Sequence, residues 1–217
     1  MANSIIDLTG STESQTQGFL SLLFEYALDG DFGVVEIVTI DPLNNKERAF
    51  RNTIDALIDY AYTMSEILYA DVFFGVNPRT STRGTKDSIL FLVTFHASLN
   101  YAATPNKSHL EALSWINKSS LKPSVIADTG SELYCYWILR GPLQINRVGL
   151  ETVENINKGL ALEVGGDADG YDITTVHRLP GTYNFQLSQR DGARKVAIIR
   201  ADGPIYKYER LVKVVKR

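Results

Sequence analysis

Pro123-Ser-Val-Ile-Ala-Asp-Thr-Gly-Ser-Glu-Leu-Tyr-Cys-Tyr-Trp-Ile-Leu139 and Asp172-Ile-Thr-Thr-Val-His-Arg-Leu-Pro-Gly-Thr-Tyr-Asn184 are the two stretches whose reading decides the fold. The first reads as a strand, a tight turn at Asp128-Thr129-Gly130, and a second strand through Leu133 to Leu139, because β-branched and aromatic residues flank a turn-forming triplet. The second reads as a short apolar strand running into an Arg-Leu-Pro-Gly-Thr-x-Asn turn. Between them lie a helix-length stretch, Val148 to Leu162, and the Gly-rich loop Gly165 to Gly170.

In that order and at that separation the pair resembles the archaeo-eukaryotic primase superfamily, above all its primase-polymerase and plasmid-replication branch. The family's middle motif, Asp-Ser-Gly-Gly-Gly-Leu-His-x-Tyr-Trp, is matched by Asp128 to Trp137, with Tyr134 in the histidine position. Its late motif, an Asp followed by Arg-Leu-Pro-Gly-Thr-x-Asn-x-Lys, is matched by Asp172 and by Arg178 to Asn184, with Gln186 in place of Lys. The resemblance spans roughly residues 69 to 200. It implies an α+β fold in which an N-terminal α/β unit packs on an RRM-like mixed sheet, leaving a central cleft faced by both motifs. In that scheme residues 1–85 form the N-terminal unit, 86–200 the motif-bearing sheet and 201–217 a basic tail.

The resemblance also places a first catalytic motif, two acids one residue apart, on the apolar strand Ile89 to Ala97. Strand alternation puts positions 94 and 96 on one face, which suits that spacing to metal binding. Here they are Thr94 and His96, and no acid lies between Asp87 and Glu111. Family members hold Mg²⁺ or Mn²⁺ with these two acids and the late-motif Asp, so Asp172 alone remains and the ligand charge falls from −3 to −1. Magnesium demands hard anionic oxygen, and a hydroxyl with an imidazole replaces it poorly. The resemblance therefore implies a dismantled catalytic site on a retained scaffold, with no cofactor unless Mg²⁺ or Mn²⁺ serves a rebuilt one.

The remaining candidates concern nucleotide or nucleic-acid binding: Arg79, Thr129, Gly130, Tyr134, Tyr136, Arg178 and Asn184. Arg79 ends the strand Asp71 to Arg79 and can hold a phosphate through its fork of donors, or sit in a turn as a surface residue. Tyr134 and Tyr136 can stack bases, or Tyr136 and Trp137 can pack one inward and one outward simply because strands alternate. His96, His109, His177 and Cys135 have no familiar zinc spacing. The acids of the Gly-rich loop lack the length of a calcium loop.

Composition bounds the function. The chain has 217 residues, 44% hydrophobic and 22% charged, with one cysteine and no apolar run long enough to span a membrane. These features lead us to expect a cytoplasmic protein without a disulfide framework or membrane partner. The net charge is −3, but from Gln186 to Arg217 nine basic residues oppose three acids, a balance of +6 that leaves −9 on the rest. A basic segment on an acidic body can meet phosphates, or serve as a solvated tail.

Elsewhere residues 1–16 read as a loose lead-in. Phe19 to Ala27 and Thr53 to Tyr69 have helical spacing, as does Asn106 to Lys118 with Ser108 as N-cap and Glu111 as its partner. Phe32 to Ile40 and Val196 to Ile199 read as strands, Asp41 to Lys46 as a turn, and Tyr206 to Val215 as a strand or short helix. The resemblance implies three possible functions. The first is a degenerate primase-like domain, in a replication or phage, plasmid or other mobile-element setting, that binds single-stranded DNA, a template–primer or a replication protein such as a helicase or catalytic primase subunit. The others are an active primase-polymerase with an altered metal site and a structural subunit supporting a catalytic partner.

Overall fold

A run of six exposed or half-buried residues, Lys46–Arg51, forms a strand that no apolar pattern announces. It forms because its neighbour is strong. Strand β1 (Val35–Ile40) is β-branched and buried along nearly its whole length, and β2 (Lys46–Arg51) hydrogen-bonds to its free side as a charged edge. This corrects the sequence reading, which ends the turn at Lys46 and places no strand after it. In the computed structural model, residues 6, 8, 11–30, 33–102, 108–166, 168–187 and 192–214 are described. Phe32 of the expected first strand, Asn106 of the expected helix start, Asp167 of the Gly-rich loop, Val215 of the last expected element, and Arg190, Asp191, Lys216 and Arg217 of the basic segment lie outside them.

The other strands are β3 (Asp71–Gly75), β4 (Phe91–Asn100), β5 (Val125–Asp128), β6 (Glu132–Gln144), β7 (Val176–Arg178), β8 (Tyr183–Asn184), β9 (Arg194–Lys195) and β10 (Ala197–Arg200). The helices are α1 (Thr12–Asp29), α2 (Ile54–Tyr62), α3 (His109–Lys118), α4 (Leu150–Glu163) and the single turn α5 (Tyr208–Leu211). One sheet runs β2-β1-β3-β7, the other β10-β5-β6-β4, and β8 pairs with β9 as a small ribbon. These strand pairs are antiparallel, and a parallel contact appears as the bridge between Leu139 and Tyr206. Strand β7 comes from the late motif yet completes the N-terminal sheet, so the chain crosses back between the two units.

Local chemistry sets the helix ends. Ser11 accepts a hydrogen bond from the Ser14 amide, so α1 begins inside the stretch expected to be a loose lead-in. Ser108 and Glu111 form the reciprocal capping box at α3 that their spacing predicts. The stretch Thr53 to Tyr69 divides into α2 and a π-helical turn over Thr63–Ile67. The segment after Tyr206 is helical, not extended, and it is packed: Tyr206 and Leu211 are buried. No helix among the described residues is long and apolar enough to cross a membrane.

Strand alternation divides the core in two. On one face of β6, Tyr134, Tyr136 and Ile138 pack with Phe19, Phe24 and Phe74. On the other, Cys135, Trp137 and Leu139 pack under α3 and α4 with Phe95, Ile116 and Leu160. Trp137 is fully buried and donates its indole N–H to the Leu121 carbonyl at 2.9 Å. Burial of such a side chain is worth about 3 kcal/mol.

The late-motif turn is docked on α1. Gly181 has φ +92°, and a Cβ there would stand 1.9 Å from the Thr16 hydroxyl, which itself contacts the carbonyls of Thr12 and Pro180. Gly192 has a similar φ, +83°, but open space around it. We therefore expect Gly192→Ala to cost about 1–2 kcal/mol from backbone strain alone, and Gly181→Ala clearly more, because Thr16 must also move. Urea unfolding of the two variants checks this; equal losses would show that the α1 contact does not constrain the turn.

Candidate functional site

The motif strands meet where the two sheets face each other. The register of β4 on β6 sets His96 opposite Tyr136 and Ser98 opposite Tyr134, with Thr94 opposite Ile138, all on one face. From the other sheet β7 sends His177 into that face. Its ring stacks on Tyr134 at 4.0 Å and 13°, lies edge-on to His96 at 5.1 Å, and its Nδ1 is 3.0 Å from the Tyr136 hydroxyl oxygen. Thr94, His96 and Tyr136 are fully buried, His177 nearly so, and Tyr134 is 6% exposed. No face of either tyrosine is offered to a base.

Burial pushes the His96 imidazole down to about 4, against the opposing pull of the Asp172 backbone and carboxylate. Burial likewise lowers His177 well below the ordinary histidine value, reinforced by His96, and raises the phenols of Tyr134 and Tyr136. All four are therefore neutral at physiological pH. His96 is positioned from α4: the Asn157 side chain accepts from the His96 amide at 3.1 Å, and its nitrogen lies 3.3 Å from the imidazole Nε2 while donating to the Tyr171 carbonyl.

Asp172 lies at the rim, its side chain 38% exposed. One oxygen accepts from the amide and hydroxyl of Thr174 at 2.8 and 2.7 Å, and the other meets Lys86 Nζ at 2.8 Å. Lys86 also contacts Glu154 of α4 at 2.5 Å. Burial raises the Asp172 pKa, but Lys86 and Thr174 together outweigh it and hold the carboxyl below its usual value. The bonds to Asp172 and then Glu154 raise the Lys86 pKa. Lys86 thus occupies the place between two carboxylates where a cation would sit.

Both candidate arginines are committed to buried ion pairs. Arg79 has no exposed surface: Nε and Nη2 donate to Glu36 Oε2 at 2.8 and 2.6 Å, Nη1 to the Asn77 carbonyl, and Nη2 also to the Thr174 carbonyl. This corrects the expectation of an Arg79 fork open to phosphate, because its donors are already used inside the protein. Arg178 pairs with Asp71, whose Oδ1 also accepts from the Phe185 amide, and lies over the Phe73 ring. In the middle motif, the Gly130 amide (φ +89°) donates to Asp128, and Thr129 accepts from the Glu132 amide. The buried Asn184 donates to the Thr129 carbonyl at 2.9 Å, joining the late motif to the middle one.

No protein-family model and no curated protein sequence matches the chain. Three solved structures do match in fold. The AEP domain of the cyanophage S-2L primase-polymerase superposes with a TM-score of 0.64 at 18% identity, over 91% of this chain and 94% of that one. The catalytic domain of primase RepB′ in complex with initiator DNA gives 0.61 at 13%, over 95% and 94%. A further primase RepB′ structure gives 0.59 at 12%, over 93% of this chain and 62% of that one. The chain has the archaeo-eukaryotic primase fold.

Within that fold Thr94, His96 and Asp172 are each engaged inside the protein. Thr94 donates its hydroxyl to the Phe95 carbonyl at 2.8 Å, His96 is shut in the aromatic cluster, and Asp172 is held by Lys86 and Thr174. Among the described residues no group of three or more His, Cys, Asp or Glu is placed to hold a metal. His109 lies instead beside Tyr101 and Asp128, 3.2 Å from the latter's carboxylate, and burial raises the Cys135 thiol pKa and leaves it inert. Sequence reasoning did not single out Glu36, Lys86 or Asn157. Glu36 had a signal, as a lone acid inside the apolar run Val34 to Ile40, whereas nothing in the sequence ties Lys86 to Asp172.

The neutral histidines make stability depend on pH. An unfolded histidine titrates near 6.5, so between about pH 6.5 and 4 the unfolded chain binds more protons than the folded one. Their contribution is complete above pH 6.5 and is lost as pH falls, at up to about 1.4 kcal/mol per pH unit for each histidine. We expect His177→Phe, which keeps the stack on Tyr134, to show a shallower fall in stability across this window than the parent protein. Denaturation at a series of pH values tests this, and parallel profiles would show that His177 is not held neutral.

Proposed function

We propose that this chain is a primase-fold domain that acts in a DNA-replication setting by binding rather than by nucleotidyl transfer. One observation carries the reading: at the two positions where the resemblance puts metal-binding acids, Thr94 is fully buried with its hydroxyl on the Phe95 carbonyl and His96 is sealed inside a neutral His–Tyr cluster. Phosphoryl transfer needs metal ions or fixed cations to neutralise developing charge. A buried hydroxyl and a neutral imidazole supply neither. The third position, Asp172, is engaged by Lys86.

The candidate ligands are single-stranded DNA, a template–primer junction, or a replication protein such as a helicase or a catalytic primase subunit. The RepB′ catalytic domain, whose fold this chain shares, is described in complex with initiator DNA, which favours DNA among these. Tyr134, Tyr136, Arg79 and Arg178 do not serve that role by direct contact, since each is buried. Binding falls to surfaces outside the motif cluster.

A second reading rests on the Lys86 bridge. Asp172 and Glu154 converge on one ammonium at 2.8 and 2.5 Å, so manganese could take its place if Lys86 swung outward. Primer synthesis and primer extension with labelled nucleotides, in Mg²⁺ and in Mn²⁺, separate the two. We expect no incorporation above background by the parent protein or by Lys86→Ala, which frees both carboxylates. Incorporation that Asp172→Ala abolishes in an otherwise folded protein would overturn the binding reading in favour of a rebuilt metal site.

A further inference from the structure

The register of β6 breaks beyond the motif residues. Thr94 pairs with Ile138, but Leu92 pairs with Leu143, so the residues from Leu139 to Pro142 bulge away from β4. A bulge re-aims side chains and frees backbone groups. Here the freed edge is taken by the C-terminal segment: the Arg140 amide donates to the Tyr206 carbonyl at 2.9 Å, and the Tyr206 amide donates to Ile138 at 2.8 Å. The tail is thereby laid against the bulge, and two adjoining hollows of about 380 and 410 Å³ open between them.

Their walls carry Arg140, Lys207, Arg210 and Lys213, with Glu209 as the acid among them. All four cations are exposed, and none is paired with a carboxylate among the described residues. Contrast Arg79, Arg178 and Lys86, each of which has an acidic partner. Four like charges gathered around a concavity repel one another, and on a chain of net charge −3 this is not a by-product of a basic composition. Of the aromatic residues in its walls, Tyr206 is buried with its hydroxyl on the Lys122 carbonyl and Arg210 over its ring, and Tyr208 is half-buried with its ring stacked on Phe95.

We infer that the groove formed by Arg140, Lys207, Arg210 and Lys213 is a site for the phosphate backbone of a nucleic acid. This rests on the binding reading above and assigns its contact surface, away from the motif cluster. Four exposed cations against two aromatic rings already packed within the protein favour phosphates over bases, so recognition is independent of sequence and strongly dependent on salt.

The test is fluorescence anisotropy of labelled single-stranded and duplex oligonucleotides with the full chain, across a potassium chloride series. The parent protein should bind with affinity that falls steeply with salt. Lys207→Ala/Lys213→Ala should weaken binding about tenfold and reduce the log–log salt slope by about two. Lys46→Ala/Lys118→Ala makes the same change in net charge at exposed positions outside the groove and should leave both unchanged. The single-strand and duplex arms show which form the groove prefers. Equal losses in the two double variants would overturn the groove while leaving the binding reading intact. Displacement of the oligonucleotide by polyglutamate as readily as by unlabelled nucleic acid would overturn it in favour of an acidic protein ligand. Failure of the folded parent to bind any oligonucleotide at low salt would remove both the groove and DNA as the ligand.

Discussion

His177 lies flat against Tyr134 at 4.0 Å with a ring nitrogen 3.0 Å from the Tyr136 hydroxyl oxygen, and through these contacts the late motif is wedged between the two sheets. The arrangement constrains everything around it. Strand β7 must pair with β3 to aim the ring, so the chain crosses from one sheet to the other between α4 and the Pro180-Gly181 turn. Tyr136 must face the same side as His96, which ties the register of β6 on β4 to the same point. Phe19 and Phe74 close the cluster from the α1 side, edge-on to each other at 5.6 Å. A charged metal site and a neutral aromatic wedge cannot share this volume, because one needs water and anionic oxygen and the other excludes both.

The two buried ion pairs serve the same geometry from outside the cluster. Glu36 and Arg79 bind β1 to the end of the β3 segment, and Arg79 reaches on to the Thr174 carbonyl beside Asp172. Asp71 holds both Arg178 and the Phe185 amide, so one carboxylate anchors the late motif on each side of its turn. Replacing such pairs by apolar side chains can be neutral, but removing a single member leaves a buried charge at a cost of about 3–5 kcal/mol. The motif arginines are therefore parts of the scaffold. Their fork geometry, which recommends arginine for phosphate, suits a buried carboxylate equally well.

Charge is distributed so that the cluster and the periphery do different things. Around the motifs each of these charges has an opposite partner: Lys86 with Asp172 and Glu154, Glu36 with Arg79 and Arg48, Arg178 with Asp71. The C-terminal segment is docked through Tyr206 and Leu211, and its cations stay in solvent. Cations without an acidic partner are thus displayed at the edge, in the groove of Arg140, Lys207, Arg210 and Lys213.

Much of the fold was legible in the residues. The strand–turn–strand around Asp128-Thr129-Gly130, the helix from Leu150 and the capping box at Ser108 follow from short-range chemistry, which sequence spacing records directly. Strand β2 was not legible, because an exposed edge needs no apolar pattern and owes its existence to the strength of β1. The early start of α1 was carried by one hydroxyl, that of Ser11, amid a polar stretch. By itself the sequence determined that positions 94 and 96 carry no acid and that position 134 carries no imidazole. Only the tertiary structure decided what surrounds these side chains. Whether an arginine meets solvent or a buried acid, and whether a tyrosine meets a base or a histidine, depends on partners distant in the chain: Glu36 lies 43 positions from Arg79, and Tyr136 lies 41 from His177. Such pairings are set by the packing of sheets, which local spacing does not encode.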